Sequence, residues 1–411
     1  MKIIHTSDWH LGRYLNKTRK RYQEFGDFLD WLAETIDRCE AEALIVAGDI
    51  FDNTTPTHLA QGLYYNFLRQ IIRNTSCRHV VVVGGNHDSP SFLEAPSRLL
   101  KGLGVHVVGA RTDDDSQKEV LALHDPKGCL ELIVCAVPFL RESDLRLAEF
   151  GETDADRHQK IVAGLAEHYR EVYRLAQEIN EKNSRRVPIV ATGHLFFKGS
   201  TTSADDGVRE IHAGPLSALP VEVLPQFDYL ALGHLHTAQR VGKSETMRYS
   251  GSPIPMGFNE ASQKKIICLV EFDMTEPATK VDLIEVPVFQ KLMRLEGDLK
   301  SLISQMKNLK GSQAWLEIIH TGTSLTEDYR KQLDQVAQES ELEIMTVKDN
   351  RYSSLVMSTD EEVQSLNDMS VETIFDRLLE DYKVPEDERP ALRQAHALLL
   401  SEFDTLDHRA E

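Results

Sequence analysis

With 411 residues, 41% of them apolar and 27% charged, the chain is long enough for two or three domains and needs no covalent staple to fold. Five scattered cysteines (Cys39, Cys77, Cys129, Cys135, Cys268) with no C-x-x-C pair exclude a disulfide framework and a zinc ribbon. The net charge of −19 alone argues against a polyanionic partner, but residues 353–411 hold 15 acids against 5 bases, so about half of the excess sits in the tail.

In chain order, the apolar run KIIHTS predicts a strand, and Phe25, Phe28, Leu29, Leu32, Ile36 and Cys39 follow at helical spacing. ALIVAGD predicts a second strand, and Leu59, Leu63, Phe67, Leu68, Ile71 and Ile72 a second helix. The series continues through HVVVVGGNHD, LELIVCAVP, a long helix over about 155–182, VPIVATGH, FDYLALGH, MRYSGSP and KKIICLVEF. Alternating strands and helices predict an α/β layered fold, and runs apolar at every position predict strands covered on both faces. Beyond about residue 275 the pattern changes to a small βαβαβ unit, with domains expected at 1–278, 279–350 and 351–411. The last segment reads as two amphipathic helices, SVETIFDRLLEDY and RPALRQAHALLLSEF, around the turn-prone KVPEDERP. No apolar run approaches the roughly 20 residues of a membrane span, and MKIIHTSDWH lacks the apolar core of a signal peptide, so no membrane contact and a cytoplasmic location are expected.

YLALGHLHTA places His234 and His236 two positions apart where a strand gives out, so both side chains point to one face. An isolated H-x-H is compatible with two surface histidines in a turn. Here it is one of five polar clusters at predicted strand ends. The others are Asp8 and His10 in TSDWHLG, Asp49 and Asp52 in GDIFD, Asn86, His87 and Asp88 in GGNHDS, and His194 in ATGHL. The carboxyl edge of an α/β sheet is where ligands bind, so the five clusters are expected to converge.

Asp8, His10, Asp49, Asn86, His194, His234 and His236 supply seven candidate donors, too many for one ion that must also admit water and substrate. Carboxylate, amide and imidazole without thiolate suit two Mn²⁺ ions best, with Fe or Zn²⁺ as alternatives; Mg²⁺ prefers oxygen throughout. Two ions roughly 3.5 to 4 Å apart clamp the attacking and leaving oxygens of an in-line displacement at phosphorus, which makes the expected reaction phosphoester hydrolysis. RYLNKTRKR, residues 13–21, carries Arg13, Lys17, Arg19, Lys20 and Arg21 and no acid. It reads either as a solvated loop or, beside the first cluster, as a phosphate-facing one. VGKS at 241–244 is no P-loop, because the first glycine of that motif would have to stand at Thr237.

The series D-x-H, G-D-x-x-D, G-N-H-D, G-H and G-H-x-H resembles the calcineurin-like metallophosphoesterase superfamily. More narrowly, HTSDWHLG, VAGDIFD, GGNHDS, GHLH and RYSGSPIPMGF resemble its SbcD-type nuclease subunits, over essentially the whole chain. The resemblance implies a layered metallophosphoesterase fold with a small α+β capping domain and a helical tail. It implies that Asp8, His10 and His236 hold one ion, that Asn86, His194 and His234 hold the other, and that Asp49 bridges them. His87 would contact the scissile phosphate and help protonate the leaving oxygen, oriented by a hydrogen bond to Asp52. Read locally, His87 could be a turn residue and Asp52 a helix N-cap. The resemblance further implies 3'-5' exonuclease and hairpin endonuclease action on DNA ends and hairpins, a homodimer within a heterotetramer, an SbcC-type coiled-coil ATPase as partner, and work at the nucleoid. The motifs alone also suit a phosphatase acting on proteins, a phosphodiesterase acting on small molecules, or a non-catalytic scaffold of the same fold.

Overall fold

The computed structural model describes residues 1–111, 116–147, 149, 152–197, 200, 220–273, 279–322 and 329–349, with Phe375, Leu379, 389–393 and His396 of the C-terminal segment. The chain divides into two units, Met1–Asp349 and Asn350–Glu411.

The first unit opens with β1 (Lys2–Thr6), α1 (Tyr22–Arg38), β2 (Ala43–Ala47), α2 (His58–Asn74), β3 (His79–Val83), the short α3 (Pro90–Glu94) and α4 (Ser97–Lys101), and β4 (Val105–Val108). β5 (Val120–His124), β6 (Leu130–Cys135), α5 (Glu142–Leu145), α6 (Asp154–Glu181), β7 (Ile189–His194), β8 (Tyr229–Gly233), β9 (Gln239–Arg240) and β10 (Met247–Tyr249) follow. β11 (Ile266–Phe272) and β12 (Thr279–Glu285) return to the first sheet, whose strand order is β12-β11-β1-β2-β3-β4; the second sheet has the order β5-β6-β7-β8-β10-β9. β1 to β4 run parallel, as do β6, β7, β8 and β10.

The layered α/β fold expected from the sequence is present, as two stacked sheets flanked by helices. The doubly apolar strands explain why. In β1 to β3, Ile4, Leu44, Val46, Val80 and Val82 join the core under α1 and α2, while Ile3, Ala43, Ile45, Val81 and Val83 face Leu132, Val134, Val190, Tyr229 and Ala231 of the second sheet. On the outer side of that sheet, Ile133, Cys135, Ile189, Ala191, Leu230 and Leu232 pack with Ile161, Leu165, Tyr169 and Val172 of α6. The result is a helix–sheet–sheet–helix sandwich with apolar layers on both sides of each sheet.

Local signals set the helix starts. Thr153 accepts from Asp156 N in a capping box at α6, and Thr57 accepts from Ala60 N at α2. The cap of α2 is therefore Thr57 and not Asp52. Leu59, counted above in the apolar stripe of α2, is 61% exposed, because Ala60, Tyr64, Phe67, Leu68 and Ile71 form the inward face.

A third, parallel sheet of order β13-β14-β15 is built from β13 (Leu292–Gly297), α7 (Leu299–Asn308), β14 (Trp315–His320), α8 (Tyr329–Glu339) and β15 (Glu343–Asp349). Leu295, Leu302, Met306, Leu316, Ile318 and Leu333 form its own core. A boundary at 278/279 would assign β12 to this second domain. In the structure β12 pairs antiparallel with β11, from Ile266↔Glu285 to Phe272↔Thr279, and the small sheet begins at Leu292. β12 alternates half-buried and exposed residues, so its membership shows only in its pairing.

The tail helices read from the sequence lie mostly outside the described residues. Within that unit, Phe375 and His396 stack with ring centroids 3.9 Å apart and planes 2° from parallel, and Leu379 is buried. Among the described residues no helix is long and apolar enough to cross a membrane.

Because β12 supplies the outer partner of β11, a chain ending at residue 278 should melt at a lower temperature than one ending at 291. Equal melting temperatures by calorimetry would show that β12 adds nothing to the sandwich.

Candidate metal centre

All five clusters follow the ends of parallel strands at one edge of the sandwich. Asp8 and His10 follow β1, Asp49 follows β2, Asn86 and His87 follow β3, His194 ends β7, and His234 and His236 follow β8. The edge is therefore shared, with four donors from the first sheet and three from the second. Asp8, His10 and His236 form one buried group, Asp8, Asp49 and His194 another, and His10, Asp49 and His87 a third; within each group, one ligand atom per residue lies within 4.8 Å of the others. Asn86 Oδ1 adds to these, 3.0 Å from His194 Nε2 and 3.1 Å from His234 Nδ1.

The backbone turns sharply to aim these side chains. Asp8, His10, Asp49 and His234 have φ of 53°, 47°, 51° and 99°, a region that residues with a Cβ rarely adopt and that clusters at functional sites. Hydrogen bonds hold the turns: Asp8 N donates to Gly48 O and His10 N to Asp49 O, each at 3.0 Å. Between Asp8 and His10, Trp9 is fully buried against Phe28 and Phe67, and its indole N–H donates to Thr6 Oγ1. Glycine is required on either side of Asp49. A Cβ on Gly48 (φ +91°) would lie 2.2 Å from His194 Nδ1, and one on Gly85 would lie 2.2 Å from Asp49 Oδ1.

Hydrogen bonds at the back of the rings decide which nitrogen faces the centre. His194 Nδ1 donates to Ala47 O at 3.0 Å, so the lone pair of Nε2 faces Asp49 Oδ2 at 3.3 Å and Asn86 Oδ1. His236 Nδ1 donates to Glu260 Oε1 at 3.1 Å, and its Nε2 faces His10 Nε2 at the same distance. Acceptors that face acceptors in a buried site call for a proton or a metal cation between them. The titration behaviour agrees. Burial would lower His194, but the charges of Asp49 and Asp8 lift it to about 9. Burial would raise Asp49, but His194 and His10 hold it well below the usual carboxylate range, while burial raises Asp8 and lowers His10. The oxygens that would draw a proton to His194 suit a divalent cation equally, and the donor set fits such an ion.

His87 stands at the rim, its ring edge-on to His10 with centroids 4.8 Å apart and its backbone N–H on Asp49 Oδ1 at 2.9 Å. Asp52 was expected to orient it by hydrogen bonding; His87 Nδ1 donates to the main-chain oxygen of Asp52 at 2.9 Å, while the Asp52 carboxylate accepts from Arg13 Nη1 at 3.2 Å.

The basic run is divided by the fold. The Arg21 side chain is buried, with Nε and Nη2 on Glu24 at 2.7 and 2.9 Å and Nη1 on Pro255 O, so it does not face a phosphate. Arg19 pairs with Glu343 at 3.0 Å and lies 4.7 Å over the Trp315 ring. Lys17 and Lys20 are exposed, and Lys17 lines a cleft of about 290 Å³ with Arg13, Arg294, Glu317 and Lys348.

Two carboxylates escaped the sequence reading. Asp88, quoted there without a role, accepts from Ile50 N, Phe51 N and Gly85 N at 3.1, 3.0 and 2.9 Å and so ties the loops after β2 and β3 together; burial and Asp49 raise it to about 7. Glu260 had no local signal, since it lies 24 residues beyond His236. It also accepts from Lys265 Nζ at 2.5 Å, Ser252 Oγ and Met256 N. Burial would raise Glu260, but the hydrogen bond from His236 and the Lys265 ammonium bring it down to about 2. That value lies below the ordinary 4.5, so its contribution to stability is complete above about pH 4.5 and is lost as pH falls toward 2.

Glu260→Gln should lower divalent-metal affinity roughly 10- to 100-fold, as loss of a carboxylate behind a ligand histidine does elsewhere. It should also lower the melting temperature, because the Lys265 ammonium keeps its burial and loses its counter-charge. Titration calorimetry that gave wild-type metal affinity would remove Glu260 from the centre.

Comparison with known proteins accords with this site. The calcineurin-like phosphoesterase model matches residues 1–238, and the model described as the type 5 capsule protein repressor C-terminal domain matches residues 288–383. Similar proteins include the SbcD subunit of the nuclease SbcCD of Escherichia coli strain K12, 34% identical over 398 residues and covering 96% of each chain. Those of Rhodobacter capsulatus (34% over 276 residues, 66% of each chain) and Bacillus subtilis (32% over 323 residues, 77% of this chain and 78% of that one) are further examples. The chain belongs to the calcineurin-like phosphoesterases and, within them, to the family of SbcD subunits of the nuclease SbcCD.

Proposed function

We propose that this chain is the nuclease subunit of an SbcCD-type complex and hydrolyses DNA phosphodiesters with two divalent ions at the shared sheet edge. The convergence of seven donors, six of them buried, with imidazole lone pairs turned toward carboxylate and amide oxygens, carries the chemistry. The relatives named as nucleases carry the substrate class. Asp8, His10 and His236 would hold one ion, Asn86, His194 and His234 the other, with Asp49 shared. Mn²⁺ suits this mixed oxygen and nitrogen set best, ahead of Fe, Zn²⁺ and Mg²⁺. Bound there, the ions would supply Lewis acidity and concentrated positive charge at the scissile phosphate.

The protein's own groups supply the rest. Ala47 O and the Glu260 carboxylate keep the imidazoles of His194 and His236 in place, and the burial of the cluster strengthens every charge interaction within it. His87, with its Nδ1 proton engaged by Asp52 O, presents Nε2 as the group that passes a proton to the leaving oxygen. The cleft lined by Arg13, Lys17, Arg294 and Lys348 lies beside Asp52 and suits flanking phosphates, with Lys20 the remaining exposed cation of the run. Action on double-stranded ends with 3'-5' polarity and on hairpins, a homodimer within a heterotetramer, and a nucleoid-associated cytoplasmic location accord with family membership. The acidic, amphipathic tail suits docking on a coiled-coil ATPase.

His194→Ala or His236→Ala should abolish Mn²⁺-dependent cleavage of linear duplex and hairpin DNA with the fold intact. His87→Ala should retain the bound metal and lose roughly 10²- to 10⁴-fold in turnover. Metal content measured beside rate decides the matter, since a His87→Ala protein that lost its metal would move His87 from catalysis to ligation. Deleting residues 360–411 should leave cleavage of simple DNA substrates intact and abolish co-purification with the ATPase. A truncated protein that still captured the ATPase would place the docking element elsewhere.

A further inference from the structure

The basic run that follows His10 forms a hairpin with two differently engaged ends. Leu15 N donates to Arg19 O at 2.9 Å and Arg19 N to Leu15 O at 3.0 Å, with Asn16 and Lys17 at φ 49° and 63° in the turn. The tip is fastened to the small sheet. Asn16 Nδ2 donates to Thr346 Oγ1, Arg19 pairs with Glu343 while lying over Trp315, and Leu15 is buried with Phe258, Leu292 and Trp315. The base is fastened to the centre. Arg13 N donates to His10 O at 2.9 Å, Arg13 Nη1 donates to the Asp52 carboxylate, and Asp52 O holds His87 Nδ1.

We propose that this hairpin is a tether through which the small sheet holds His87 in its working orientation, so that Asn16 and Arg19 are positioning residues for the hydrolysis. The proposal rests on the role given to His87 above. An exposed ion pair alone is worth little. Here an ion pair, a ring stack, a side-chain hydrogen bond and an apolar anchor all fall within five residues, Leu15 to Arg19. A path from β15 to His87 then runs through Arg13 and the main-chain carbonyl of Asp52. Releasing the tip lets Arg13 swing and Asp52 shift, and a displacement of about 1 Å at a catalytic group can cost up to roughly 100-fold in rate.

The test uses the full chain, with the double variant Asn16→Ala/Arg19→Ala on the hairpin side and Glu343→Gln on the side of the small sheet. Two readouts are taken. One is the side-chain ¹⁵N spectrum of His87; the other is Mn²⁺-dependent hydrolysis of bis(p-nitrophenyl) phosphate, an ester too small to reach the small sheet. Both variants should show faster exchange of the His87 Nδ1 proton and a turnover number lower by roughly tenfold or more, with KM for the ester and metal content unchanged. An unchanged His87 signal overturns the tether. So does a loss confined to KM for DNA with ester turnover intact, which would make Asn16 and Arg19 substrate contacts. Wild-type protein that hydrolysed neither ester nor DNA would sink the nuclease reading instead, and the His87 signal would still decide the tether.

Discussion

Asp8 Oδ1 accepts the backbone N–H of His234 at 2.9 Å, and this bond joins a loop of the first sheet to a loop of the second at the point where their donors meet. Ser7 and Ser250 share a hydrogen bond 2.8 Å long beside it, and His194 Nδ1 reaches across to Ala47 O. Neither sheet carries a complete donor set. Asp8, His10, Asp49 and Asn86 come from one, His194, His234 and His236 from the other, so the centre exists only while the sheets keep one register. That register is held by the apolar layer between them, in which Ile45, Val83, Val134, Val190 and Tyr229 interlock. Each large side chain so buried contributes roughly 1.5 to 3 kcal/mol.

The same edge concentrates the unfavourable terms of the fold. Four residues with a Cβ stand in the left-handed region there, at about 1 to 3 kcal/mol each, and two buried carboxylates lie among imidazoles. Such an arrangement persists because its surroundings over-determine it. Trp9 is locked into the core between Asp8 and His10, Asp88 binds three backbone N–H groups from two loops, and Gly48 and Gly85 leave room for His194 and Asp49. The imidazole–oxygen oppositions that remain are those that a divalent cation would relieve.

What could be read from the sequence was what is local. Each ligand cluster announces itself by a strand end and a spacing of one to three residues, and the doubly apolar strands predict covered sheets. The alternation that shows two sheets instead of one is also present, since Ile3 and Ile4 point to opposite layers, but only pairing shows what each layer meets. Non-local partners left no trace. Glu260 supports His236 from 24 residues away, β12 belongs with β11 because of its register, and Asp52 acts on His87 through a carbonyl that no side-chain identity encodes. Leu59 matched the helical spacing and still faces outward, because a stripe fixes a helix's period and leaves its rotation to packing.

The basic run 13–21 shows why linear charge is a poor guide to a polyanion's path. Arg21 neutralises a buried glutamate, Arg19 belongs to the small sheet, and Arg13 holds Asp52. Folding also brings Arg13 and Lys17 to one cleft with Arg294 and Lys348, cations from distant segments of the chain. Glu317, a buried residue of that cleft's lining, pairs with both Arg294 and Lys348. In a chain of net charge −19, folding thus gathers cations that the sequence disperses, while about half of the acidic excess belongs to the tail sequence.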